Sequence, residues 1–118
     1  MTLQRGDVVL VSFPFSSQTG SKVRPALVVQ SDHNNQRLTN VIVAAITTTT
    51  HRSGEATQLL IDVATPDGQQ SGLLWSSVVT CENLVTVAQI LVQRKIGQLP
   101  PTLMQQIDGC LKAAVGGS

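Results

Sequence analysis

The segment Val8 to Phe13 (Val-Val-Leu-Val-Ser-Phe) constrains the fold more than any other. It is rich in β-branched residues, whose stiff χ1 angles favour extended backbone. It is also apolar on both alternations, so a strand here needs cover on both faces, as in a barrel or a sandwich. Gly6-Asp7 opens it and Pro14 closes it. Val41 to Thr47 (Val-Ile-Val-Ala-Ala-Ile-Thr) repeats the pattern as the most apolar run in the chain, which predicts a central strand. Neither run approaches the ~20 apolar residues that a helix needs to span a bilayer.

Other strands are expected at Ala26 to Gln30 and Gln58 to Val63, the latter by clean alternation. Gly72 to Thr80 and Val85 to Val92 supply further strand material around a kink at Cys81-Glu82-Asn83. Ser16 to Ser21 and Thr48 to Ala56 read as polar loops, and Asp32 to Asn35 and Pro66-Asp67-Gly68 as turns. One helix follows Leu99-Pro100-Pro101, with Thr102 as N-cap, Leu103, Ile107, Leu111 and Ala114 on one face, and Gly116-Gly117 ending it. A parallel βαβ fold would need alternating helices. The pattern instead predicts a mainly β (α+β) domain: a compact antiparallel barrel with a helix packed on it.

At 118 residues the chain is expected to form a single domain, 1–118. A hydrophobic fraction of 42% against 13% charged argues against disorder. The formal net charge of +1 does not announce a nucleic-acid binder, so any polyanion must be held by a local cluster. Cys81 and Cys110 match neither a zinc spacing nor a disulfide scaffold, and are expected to be reduced and buried. The N-terminus has no signal-peptide pattern, which points to the cytoplasm. His33 and His51 have no matched ligand partners, so neither a metal nor a cofactor is expected.

Arg24 stands out by its setting. It precedes Pro25, which biases it towards extended backbone, and follows a glycine-containing loop. An arginine there can present its planar fork to a phosphate, or it can pair with Asp7 or Glu82 and tether the loop. Thr47 closes the apolar strand, where a hydroxyl is either a donor to an oxyanion or an ordinary strand end. Glu82 and Asn83 sit at the kink, where the carboxylate can act as a base or remain solvated. Trp75, the one tryptophan, reads as a core or interface residue, and Phe13 and Phe15 as anchors of core and loop.

Taken together, these residues resemble the MazF/PemK family of toxin ribonucleases from bacterial toxin–antitoxin pairs. The similar segments are Arg5-Gly6-Asp7-Val8-Val9, Arg24-Pro25-Ala26-Leu27-Val28-Val29, Val41 to Thr47, Ser77-Val78-Val79, Glu82 to Thr86 and Lys95-Ile96-Gly97-Gln98-Leu99. The resemblance implies a small SH3-like barrel that forms a homodimer. It also implies metal-free cleavage of single-stranded RNA at short sequences and inhibition by an acidic antitoxin. Arg24 and Thr47 fall on the pair the family uses at the scissile phosphate. The proton acceptor is open, with Glu82 the first candidate and His51 the second on the ordinary pKa values of their side chains. The implied RNA groove takes in Phe15, Gln18, Lys22, Ser31, Thr48, His51 and Asn83. Two departures stand against the pattern: many members carry arginines where this chain has Thr80 and Val85. Their loss leaves room for a toxin that binds DNA gyrase without cleaving anything, or for an inactive barrel that only pairs with an antitoxin.

Overall fold

A computed structural model describes residues 2–14 and 21–117. Six strands, β1 (Asp7–Pro14), β2 (Ser21–Val28), β3 (Asn40–Thr47), β4 (Gln58–Ile61), β5 (Ser77–Ala88) and β6 (Val92–Gln98), form one antiparallel sheet in the order β4-β5-β3-β2-β1-β6. Helices α1 (Asp32–Arg37) and α2 (Pro66–Gln69) are short, and α3 (Pro101–Val115) ends the fold.

The double apolar alternation of β1 has its counterpart in two cores. Val8, Leu27, Ala44, Ile46 and Val79 pack with Ile107 and Cys110 of α3. Their chain neighbours Val9, Ala26, Val28 and Val43 point the other way and pack with Val87 and Val92. One face is therefore covered by the helix, and the other by the sheet coiling onto itself. Full side-chain burial in either core contributes roughly 1.5–3 kcal/mol per large aliphatic residue.

The coil does not close by strand pairing, because edge strands β4 and β6 share no ladder. The segment before β5 bridges the gap instead, and the Gln98 N–H donates to the Gln70 carbonyl at 2.9 Å. Two glycines permit this crossing. Gly72 has φ +73° and lies against the Ile96 carbonyl, while Gly97 lies against the backbone of Ser71, so a Cβ at either would overlap backbone.

Several expectations need correction. Asp32 to Asn35 is not a turn but the start of α1, capped by the Ser31 hydroxyl, which accepts from the Asn34 N–H at 3.3 Å. The Pro66-Asp67-Gly68 turn is one turn of helix, capped by Thr65. Strand β5 begins at Ser77, not Gly72, and runs unbroken to Ala88; the kink is a bulge, where the register with β3 jumps between Ala44 and Ala45. At α3 the N-cap is Pro100, without a side-chain bond, and the Thr102 hydroxyl donates instead to Asp67 at 3.1 Å. The helix face is as expected: Ile107 is buried, with Leu103, Leu111 and Ala114 packed beside it. Gly116, at φ 78°, caps its C-terminus.

Cys81 and Cys110 are free and buried. Burial first, and the neighbouring Cys110 second, push the Cys81 thiol up to about 12, so it stays protonated and unreactive.

Candidate functional site

The register of β2 and β3 sets Ala26 opposite Ala45, Leu27 opposite Ala44 and Val28 opposite Val43. Carried two residues further, it sets Arg24 opposite Thr47, on the same side of the sheet as Ala26 and Ala45 because side chains alternate with period two. The ladder starts only at Ala26, one residue after Pro25, which has no amide hydrogen to donate. Where it stops, a pocket of about 310 Å³ opens, lined by Arg24, Pro25, Ile46, Thr47, Thr48 and Ser77.

Arg24 is exposed, and among the described residues it has no ion pair. The acids that might have tethered it are engaged elsewhere: buried Asp7 with Lys95 at 3.1 Å, and Glu82 with Arg52 at 2.9 Å. Its fork is therefore available. The Thr47 hydroxyl oxygen accepts from the Thr49 N–H at 3.1 Å, which leaves its own hydrogen free to donate. Two donors thus converge on a pocket whose described lining contains no carboxylate and no imidazole.

Lys22 is exposed on β2 two residues from Arg24, hence on the same face and roughly 7 Å along the strand. Thr48 lines the pocket beside Thr47. Phe15 and Gln18 lie outside the described residues. Ser31 is not brought to this pocket: it caps α1 beyond the far end of β2, roughly 20 Å along the chain from Arg24.

Glu82, Asn83 and His51 also stand outside the pocket lining. Glu82 projects from the β5 bulge and accepts from Gln58 Nε2 at 2.8 Å. Burial pushes its carboxyl up, but bonds from Gln58, its own backbone and Thr57, with the Arg52 charge, outweigh that and hold it below the usual carboxylate value. Arg52 also grips Glu55 through two bonds of 2.7 and 2.8 Å, so the 48–57 loop is pinned to the bulge. Asn83 reaches back to the Thr80 hydroxyl at 3.4 Å. His51 is exposed on that loop.

The two positions that depart from the family pattern differ in setting. Val85 is 38% exposed, whereas Thr80 is buried inside the sheet and its hydroxyl donates to the Ala45 carbonyl at 2.7 Å. Trp75 is not a core residue, being 70% exposed. It borders a second cleft, which adjoins the first and which the sequence alone did not indicate. The available signal was a lone tryptophan in a short segment between Gly72 and Ser77. No group of three His, Cys, Asp or Glu among the described residues is arranged to hold a metal ion.

Endoribonuclease MazF2 of Mycobacterium bovis is 30% identical over 114 residues, covering 95% of this chain and 96% of that protein. Endoribonuclease EndoA of Bacillus subtilis is 29% identical over 116 residues, covering 98% and 96%. Among solved structures, an endoribonuclease in complex with its cognate antitoxin from a mycobacterial species has a similar fold, with a TM-score of 0.78. It is 22% identical and covers 97% of this chain and 95% of its own. The family model for the PemK-like, MazF-like toxin of type II toxin–antitoxin systems matches residues 4–115, and the chain belongs to that family.

Proposed function

We propose that this protein is a toxin endoribonuclease that cleaves single-stranded RNA at short specific sequences without a metal ion and is neutralised by a cognate antitoxin. The observation that carries the reading is the convergence of Arg24 and the Thr47 hydroxyl on a pocket lined by no described carboxylate. Such a pocket suits a phosphate whose negative charge increases during reaction. The relatives named endoribonucleases support the activity, and the antitoxin-bound mycobacterial structure supports the partner.

In the proposed reaction the ribose 2′-hydroxyl attacks the adjacent phosphorus. The 2′-hydroxyl proton passes to an acceptor, the P–O5′ bond breaks and the departing O5′ takes up a proton, leaving a 2′,3′-cyclic phosphate and a 5′-hydroxyl. Arg24 and Thr47 stabilise the phosphorane, Arg24 as a permanent cation that cannot serve as a base. The proton acceptor comes from outside the described lining. Glu82 is a weak base because its pKa is lowered and Arg52 holds it, so in this reading it positions the loop. His51, exposed on that loop, is the other candidate acceptor. In this reading the protein works as a cytoplasmic homodimer, with RNA lying across both copies and an acidic antitoxin competing for the same groove.

Incubating the protein with a long mixed-sequence RNA in EDTA, then mapping the ends, tests the reading. Cyclic-phosphate ends at one short sequence are expected. RNA left intact while gyrase supercoiling is blocked would assign the protein to the non-cleaving class of toxin instead.

A further inference from the structure

The crossing segment that completes the barrel also carries the chain's single tryptophan. Trp75 is 70% exposed and Leu74 beside it 82%. Large apolar side chains this exposed gain nothing from the core, yet the backbone beneath them is fixed. Ser77 Oγ donates to the Trp75 carbonyl at 2.8 Å, and Ser76 Oγ accepts from the Val63 N–H at 3.1 Å. Gly72 presses against β6 just upstream. The indole is thus held out to solvent on a rigid support, an arrangement suited to binding.

Trp75 lines a cleft of about 530 Å³ together with Leu10, Leu74, Ile96, Arg94 and Lys95. Pro25, Thr48 and Ser77 line both this cleft and the Arg24–Thr47 pocket, so the two adjoin. Neither lining contains a described carboxylate. Lys95 is held by Asp7, whereas Arg94 has no ion pair among the described residues.

We infer that this second cleft is the subsite for the nucleotide beside the scissile phosphate, with the Trp75 indole stacking on its base and Arg94 facing its phosphate. The inference rests on the ribonuclease reading and adds a base-binding residue to it. An aromatic face next to an unpaired arginine, adjoining a phosphate pocket, is an arrangement by which proteins hold single-stranded nucleic acid. Its mostly apolar wall would also accept an aliphatic peptide. Adjacency to the phosphate pocket and the absence of described carboxylates from both linings favour RNA.

Trp75 is the only tryptophan and tyrosine is absent, so intrinsic fluorescence reports on this residue alone. Once the cleavage site is mapped, an oligonucleotide spanning it with a 2′-O-methyl group on the nucleophilic ribose gives a probe that binds without being cut. Titrating it into the wild-type protein is expected to quench the fluorescence. Trp75→Ala is expected to raise KM for the cleavable oligonucleotide roughly tenfold with kcat little changed, while Trp75→Phe stays near wild type. An abasic ribose on one side of the scissile phosphate should weaken cleavage by wild type but not by Trp75→Ala. Unquenched fluorescence with a wild-type KM for Trp75→Ala overturns the inference and leaves the ribonuclease reading intact. A Trp75→Ala variant that cleaves normally but fails to bind an acidic antitoxin peptide also overturns it, assigning the cleft to a protein partner. If the wild-type protein cuts no RNA, both readings fall.

Discussion

Arg52 reaches from the 48–57 loop to Glu82 in the β5 bulge, with Nη2 2.9 Å from Oε2, and grips Glu55 through Nε and that same Nη2. The loop that carries Thr48 and His51 is thereby fastened to the strand that pairs with β3. If Glu82 fastens rather than accepts a proton, Glu82→Gln should lower activity only severalfold and leave the shape of the pH–rate profile unchanged. Loss of the acidic limb in that variant, where the rate rises as a carboxyl deprotonates, would restore Glu82 as the base.

Glu82 also makes a prediction about stability and pH, through its bond from Gln58 first and the Arg52 charge last. The Glu82 carboxyl is held below its ordinary value of 4.5, so the stabilisation is complete above that value and lost as pH falls through the lower folded one. Wild type should therefore be modestly more stable than Glu82→Gln at neutral pH, and the gap should close in strong acid. Urea denaturation at the two pH values measures this. Because Arg52 is largely solvated, the gap should also shrink in high salt.

Arg24→Ala should abolish cleavage without altering the fold, since Arg24 is exposed and unpaired among the described residues. Thr47→Val should cost about 10²–10³ in kcat, the effect of removing one donor from an oxyanion site, while Thr47→Ser retains most activity. Single-turnover cleavage with circular dichroism as a fold check separates these outcomes from unfolding.

Val85→Arg and Thr80→Arg should behave oppositely. Val85 is partly exposed, so an arginine there is accommodated and, if RNA passes nearby, steepens the salt dependence of binding by about one unit. Thr80 is buried and bonded to Ala45, so an arginine there has no place for its charge and should destabilise the sheet by several kcal/mol, about what an unpaired buried ion costs. Melting temperature and salt-dependent binding measure both effects.

Gly97→Ala tests the crossing of the Gln70–Gly72 segment over β6. A Cβ there overlaps the Ser71 backbone, which cannot yield without breaking the bond from Gln98 to Gln70. A loss of about 1–3 kcal/mol or more is expected, measured by chemical denaturation. Gly109→Ala, which meets nothing, serves as the control.

The strands legible in the sequence were β1 and β3, whose apolar pattern is set by burial on both faces, and the alternating β4, along with the apolar stripe of α3. Strand β6 was not, because Gln93, Arg94 and Lys95 are exposed and its ladder with β1 is interrupted twice, which erases any alternation. Helix α1 was missed because Asp-His-Asn-Asn-Gln-Arg has no apolar face; its start depends on the Ser31 cap and on Asn35, which is buried through bonds to Gln30. At the site, Arg24 and Thr47 were legible singly, but their meeting depends on the β2–β3 register. The Trp75 cleft could not be read at all, since it exists only where the segment before β5 crosses β6.

That crossing has one more consequence. A strand with an open side invites addition of another chain, and an incomplete barrel has two such sides. Here the end of β6 is already occupied by the Gln70 carbonyl, and α3 packs against β4 and β5. The irregular segment that completes the barrel therefore also guards it against intermolecular strand addition, and a variant that loosens it should aggregate before it unfolds.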